Sequence, residues 1–454
     1  MKYSSVCAFT VVILFAGCVK KTDNLFDKTV DERLNTALTN YSNALTTAPG
    51  WKLFVYPKGL ENQNIKVGGL TYYLKFANNN RVSMVSDFTT GIAATPKESG
   101  YRLKALQRPS LIFDTYSYMH IPADPDPSIS FSPTNEGGYG WGTDFNFAFT
   151  DVAVKDTMVL QGNFNKSAAV LVKARQGEMD SAFSRGRLRN IMTLSYDYAS
   201  ANPFLYFQAS PNLRAAVGFD FNNVIITFTT IESGSIVNKS MAFSFTTYGM
   251  HLMMPVTIGS YTFQDIYWDD VKKVYYLLSG TTHIEFANSA TPVISLSLSN
   301  LIGSQFTTIS VPPDASTPSG GLLPNESALF LSRYNTAKNG MLNGPYTLTL
   351  DDMDFVFNAT AKTMVVNVYV YQYGNGPIPC QYVYTYTIDG AGYFKFTKTG
   401  QSANGAVIVA YMNSILSYIE SDQFKLDGYA TSLSFLGQFT SRQTPAFYFS
   451  GYLY

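Results

Sequence analysis

The stretch from His120 to Gly142 gathers most of the side chains in this sequence that are suited to holding a ligand. His120 offers an imidazole, and Asp124 and Asp126 offer carboxylates two residues apart. Tyr139 and Trp141 place two rings among Gly137, Gly138, Gly140 and Gly142. Aromatic rings in a glycine-rich loop present flat apolar faces, which stack on sugar rings or fill a partner's pocket. Tyr139, Trp141, His120, Asp124 and Asp126 are therefore the candidate ligand-binding residues. The competing expectation is that Trp141 turns inward and plugs one end of a β domain. Asp124-Pro125-Asp126-Pro127-Ser128 sets oxygens at alternate positions, as calcium loops do. It lacks the later Gly and Glu that complete such a loop, so turn formation is its expected role.

Catalytic signatures are missing. The sequence has no Gly-x-Ser-x-Gly elbow and no His-Glu-x-x-His, and His283-Ile284-Glu285 lacks a second histidine. The glycine-rich loop carries neither a P-loop lysine nor a dinucleotide pattern. Asp269-Asp270 and Asp351-Asp352-Met353-Asp354 are expected at strand-end turns. Paired carboxylates can hydrolyse glycosides only when they face each other at a fixed distance, which spacing in sequence does not set. His120, His251 and His283 lie far apart. No catalytic residue, metal ligand or cofactor is assigned.

Location is written at the start of the chain. Lys2 precedes an apolar run, Val6 to Ala16, and Phe15-Ala16-Gly17-Cys18 reads as a lipobox. The run is shorter than the roughly 20 residues that cross a bilayer and has the flanks of a signal peptide. Residues 1–17 are expected to leave as signal, Cys18 to carry lipid, and residues 18–28 to form a tether. Cys7 would leave with the signal, so the mature chain keeps Cys380 as its one unlipidated cysteine, expected as a small buried apolar group.

The elements that must position these residues are mostly strands. Charges are sparse and balanced, 32 basic against 32 acidic, which removes the electrostatic footprint of a nucleic-acid binder. Tyr, Phe, Thr and Ser dominate in period-two runs separated by turn residues. The expected fold is mainly β, with two or three antiparallel β-barrel or sandwich-like units and a few packed helices. Thr29-Val30-Asp31-Glu32 is a capping box that opens a helix over Val30 to Thr46. A second helix is expected over Asn404 to Glu420, with shorter ones over Glu178 to Leu188 and Glu326 to Thr336. The units fall at 29–175, 176–312 and 325–454, with a Pro/Ser/Gly-rich linker at 313–324. A short echo, Phe113 to His120 against Phe245 to His251, suggests a duplicated β unit.

The run Tyr101 to Tyr116, with His120 and Asp124-Pro125-Asp126-Pro127, resembles the uncharacterised Bacteroidota lipoprotein family called domain of unknown function 4302. The glycine-rich loop, Asp144-Phe145 and Leu160-x-Gly162 fit it as well. The resemblance implies an outer-membrane protein anchored through lipid on Cys18, at the cell surface rather than on the periplasmic face. The acidic run that favours surface export in that group is poorly matched by Val19-Lys20-Lys21-Thr22-Asp23. Such proteins resemble products encoded beside TonB-dependent nutrient-uptake systems. The implied role is a non-catalytic accessory that binds a glycan or peptide, or docks on the uptake complex. A surface hydrolase of polysaccharide or peptide, and a structural outer-membrane lipoprotein, are the alternatives. The capture reading predicts an exposed aromatic patch near Trp141.

Overall fold

The computed structural model describes residues 29–60, 67–131, 138, 140–151, 153–233, 235–313, 323 and 326–454. The signal peptide, Cys18, the tether and Tyr139 lie outside these residues. The described chain is mainly antiparallel β, with three barrel-like sheets and six α-helices.

Helix α1 (Val30–Thr47) starts at the capping box read from the sequence: the Thr29 hydroxyl accepts from the Glu32 amide, and Glu32 accepts from the Thr29 amide. It precedes a closed barrel of eight strands: β1 Trp51–Tyr56, β2 Leu70–Phe76, β3 Arg81–Ser86, β4 Lys97–Ala105, β5 Pro109–Phe113, β6 Asn146–Phe149, β7 Thr157–Gly162 and β8 Ala168–Lys173. Each strand pairs with the next, and β1 pairs with β8 to close the ring. Eight strands leave an interior just wide enough for side chains, and Leu53, Tyr72, Met84, Leu111, Phe147 and Leu171 help fill it. One end is plugged by α1. Its Tyr41 stacks on Phe149 at 3.8 Å, and the indole of Trp51 donates to the Leu45 carbonyl. The other end carries the long β5–β6 connection, which includes the single-turn helix α2 (Pro127–Ser130).

Helices α3 (Gln176–Phe183) and α4 (Arg187–Ala201) lead into the second unit. The sequence suggested one short helix here. The break falls at Gly186, where φ is +59°, and α4 continues because Leu188, Ile191, Ser195 and Ala199 bury one face at helical spacing. The second sheet runs through β9 Leu205–Ser210, β10 Leu213–Asp220, β11 Ile225–Glu232, β12 Ser235–Thr246, β13 Gly249–Ile258, β14 Tyr261–Asp269, β15 Val274–Ser279 and β16 Thr282–Glu285. One residue later, β17 (Ala287–Asn288) pairs back onto β9 and draws the sheet round. The echo noted above falls on the fifth strand of one barrel and the fourth of the next, so it does not mark equivalent positions.

The third sheet comprises β18 Ser295–Ser297, β19 Thr308–Val311, β20 Leu348–Asn358, β21 Thr363–Gln372, β22 Asn375–Ile388, β23 Tyr393–Gln401, β24 Gln423–Ala430, β25 Phe435–Ser441 and β26 Tyr448–Leu453. Pairing of β24 with β25 closes it. Helices α5 (Ala328–Leu342) and α6 (Ala403–Ser421), the latter capped by Ser402, pack on its Phe-rich core. Two expectations need correction. β19 sits between β20 and β26, so residues before 313 belong to the third unit, and the second ends near Asn288. Asp351 to Asp354 lie within β20, not at its end: a register shift between Leu350 and Met353 takes up Asp351 and Asp352 as a bulge, and Asp354 pairs with Asn367 of β21. Cys380 is buried on β22 as a free thiol.

The first two barrels share a seam. β7 alternates buried and exposed residues, whereas six of the seven residues of β2 are buried, since its outer face packs on β12. Asp87, after β3, accepts from the amides of Thr71 and Phe245, both at 2.7 Å. Burial pushes its carboxyl up to about 7, against the pull of those amides. The folded chain thus holds this proton more tightly than the unfolded chain, whose aspartates titrate near about 3.9. Stability from this group is present at low pH and is lost as pH rises from about 4 through 7. Urea unfolding should show Asp87→Asn narrowing the stability difference between pH 5 and pH 8. An unchanged difference would place that pH dependence elsewhere.

Candidate functional site

The β5–β6 connection and the β7–β8 turn meet at the end of the first barrel opposite α1. The glycine-rich loop doubles back on the segment before it: Gly138 donates to the Pro125 carbonyl at 2.8 Å and Trp141 to that of Pro122 at 2.7 Å. This approach needs glycine. A Cβ on Gly140 would sit 2.5 Å from the Pro122 oxygen, and one on Gly142 would sit 2.7 Å from the Gly59 Cα, both at positive φ.

Trp141 points inward. It is 7% exposed and belongs to the barrel core, and its indole donates to the Ser130 carbonyl at 2.9 Å. Trp141 thus follows the competing expectation and plugs the barrel end, so it contributes no exposed ring itself. An indole in polar solvent gives up a large burial energy, and here the open barrel end takes it. His120 is half-buried, with Tyr116 at 5.6 Å on one side and Phe145 at 4.5 Å on the other. Its Nδ1 accepts from the Ser117 amide, so the proton sits on Nε2. Burial holds it below the usual imidazole range, so it is neutral at pH 7. Asp124 accepts from the Tyr116 hydroxyl and from the Asp126 amide. Asp126 caps α2 through the Ser128 amide and hydroxyl, the turn-forming role read from Asp-Pro. Among the described residues no group of three or more His, Cys, Asp or Glu can hold a metal ion.

Beside these residues lies a groove of about 580 Å³. Phe145 and Phe164 edge it, 37% and 87% exposed. Two residues of the lining, Thr143 and Asn146, also bury a side-chain oxygen each, Oγ1 and Oδ1, without a hydrogen-bond partner among the described residues. Thr143 is 2% exposed, and both oxygens are closed to solvent beneath the groove surface, where a buried polar atom left unpaired costs on the order of 1–3 kcal/mol. Next to them Asp144 holds the groove's shape. It accepts from the amides of Phe164, Asn165 and Ser167 and from the Ser167 hydroxyl, at 2.8–3.1 Å. Phe164 is thereby fixed at the tip of a turn tied to the groove floor.

Of the sequence candidates among the described residues, none lines the groove: His120 packs on its edge residue Phe145, Asp124 is held by Tyr116 and the Asp126 amide, Trp141 turns into the barrel, and Asp126 caps α2. Phe145, Phe164, Thr143 and Asn146 were missed. A phenylalanine in the otherwise polar turn Asn163 to Ser167 was the available signal. Another pairing was invisible in sequence. His251 on β13 lies opposite Asp265 on β14, with Nδ1 2.7 Å from the carboxylate, which also accepts from Tyr248. Phe54 of the first barrel stacks on that imidazole at 4.0 Å, so the pair belongs to the seam.

The family model described as domain of unknown function (DUF4302) matches residues 22–270, which take in the first barrel and most of the second. No curated protein matches the chain. Among solved structures, isotype 1 transferrin binding protein B from serogroup B Neisseria meningitidis is similar at 9% identity, over 89% of this chain and 73% of that one. The TM-score is 0.12, a likeness too slight to carry an argument. No described helix is long and apolar enough to cross a membrane.

Asp144→Ala leaves three amides and a hydroxyl unpaired in part-buried surroundings. It should cost about 2–4 kcal/mol in chemical denaturation. A loss below about 0.5 kcal/mol would mean that the turn is held by other contacts.

Proposed function

The chain belongs to the DUF4302 family, and from that premise and the groove's geometry we propose that it is a lipid-anchored outer-membrane protein that captures a glycan without cleaving it. The observation that carries this reading is the placing of two exposed rings, Phe145 and Phe164, on one groove whose lining also includes the amide side chains Asn146 and Asn165. Sugars present apolar C–H faces and rims of hydroxyl donors. Rings stack on the first and side-chain oxygens accept from the second. A volume near 580 Å³ lies within the roughly 300–1,000 Å³ of small-ligand sites. Asp144 is fully engaged in holding the turn, which supports binding over hydrolysis at this groove.

The lipobox supports anchoring through Cys18 and would hold the groove near the membrane surface, where a captured glycan can pass to an uptake complex. Palmitate labelling in the native cell should tag the wild type and lose the label in Cys18→Ser. A labelled variant would refute the anchor.

On a polysaccharide array the wild type should retain at least one glycan without releasing shortened product. Phe164→Ala and Phe145→Ala should each weaken that binding at least tenfold. Binding that both variants retain would move the site elsewhere, and product release would replace capture with hydrolysis.

A further inference from the structure

A second chamber, of about 420 Å³, lies at the seam between the first two barrels. The first barrel contributes the rings of Phe88, Phe131 and Trp141, and the second contributes Phe221 and Phe245. The rings form two groups. Phe88 meets Trp141 edge-on at 5.6 Å and Phe131 at 6.2 Å, while Phe221 and Phe245 lie near parallel at 6.3 Å. Asp87 is the charged residue of the lining, 6% exposed. Each of its oxygens takes one backbone amide, and among the described residues no Lys, Arg or His shares its charge. Phe131, 64% exposed, and Asn222 stand at the solvent side.

Both features call for the same guest. A carboxylate buried without a counter-charge is costly and gains from a cation. Aromatic faces carry negative potential and attract a cation whose own surface is apolar. A hard metal ion needs about six oxygens, whereas the side-chain oxygens here come from Asp87, Asn222 and Asn223.

We propose that this chamber binds an organic ammonium ion, its charged nitrogen beside Asp87 and its alkyl groups among Phe88, Trp141, Phe221 and Phe245. The site is separate from the glycan groove and does not depend on it. The two adjoin at one point, where the Trp141 ring lines the chamber and Gly142 lines the groove.

The test is calorimetric titration of the purified full chain at pH 8 with choline and with its uncharged isostere 3,3-dimethylbutan-1-ol. Choline should saturate one site and bind at least tenfold tighter than the alcohol. Asp87→Asn should erase that preference while leaving the alcohol's affinity unchanged. Because Asp87 also ties the barrels together, Phe221→Leu serves as a second variant. It keeps an apolar side chain, removes a ring, and should weaken choline about three- to tenfold while changing the alcohol little. The proposal is overturned if choline does not bind, if the alcohol binds as tightly, or if Phe221→Leu binds choline like the wild type.

Discussion

An incomplete sheet edge underlies the arrangement of the first two barrels. β11 begins at Ile225, opposite Ala242, and only the Phe243 amide still finds a partner there, the Val224 carbonyl, so the last residues of β12 beyond it lack a neighbouring strand on that side. Their amides and carbonyls would be left unpaired, at a cost close to that of a lost hydrogen bond each. The first barrel supplies the partners. Gly69 donates to the Phe243 carbonyl, Asp87 accepts from the Phe245 amide, and the Tyr73 hydroxyl accepts from the Thr247 amide. Thr71 and Ser244 join by their hydroxyls at 2.8 Å. Polar completion of an edge is directional. It therefore sets the register between the barrels, and the apolar contacts of Tyr73 and Val85 with the second core follow from it.

The chamber at the seam follows from the same constraint. Asp87 must reach across to β12, which leaves a carboxylate deep in the protein. Of the rings around it, Phe245 stands on β12, while Phe88, Phe131, Trp141 and Phe221 come from connections between strands. Bulky rings meeting from two curved surfaces do not close perfectly, and the space that remains is aromatic with one acidic point.

Closure of the first barrel explains where a ligand can be held. Eight strands enclose an interior that side chains can fill, and here Leu53, Tyr72, Met84, Leu111, Phe147 and Leu171 occupy it, which favours binding groups on the end loops, as is common where a rigid scaffold presents function. One end is taken by α1. At the other, Trp141 spends its ring on closure, and the groove is built outside it from the β5–β6 connection and the β7–β8 turn. Asp144 links those two segments, so the groove depends on side-chain–backbone bonds between parts of the chain some twenty residues apart.

The sequence alone determined what local rules decide. Period-two runs bounded by turn residues set the β class. The capping box at Thr29 and the apolar spacing from Ile408 to Ile419 set two helices nearly to the residue. The Asp-Pro pairs set a turn. Only tertiary structure decided which way Trp141 faces, because an indole among glycines satisfies local rules in either direction and the open barrel end breaks the tie. It alone placed Asp351 to Asp354 inside a strand, since a bulge depends on the partner strand's register. It joined β19 to strands beyond residue 313, because ring closure is a long-range condition. His251 with Asp265, Asp87 with Phe245, and Phe145 with Phe164 are likewise pairs made by register, seam and turn. No spacing along one chain encodes them, because each depends on the register or loop packing that sets the two residues side by side.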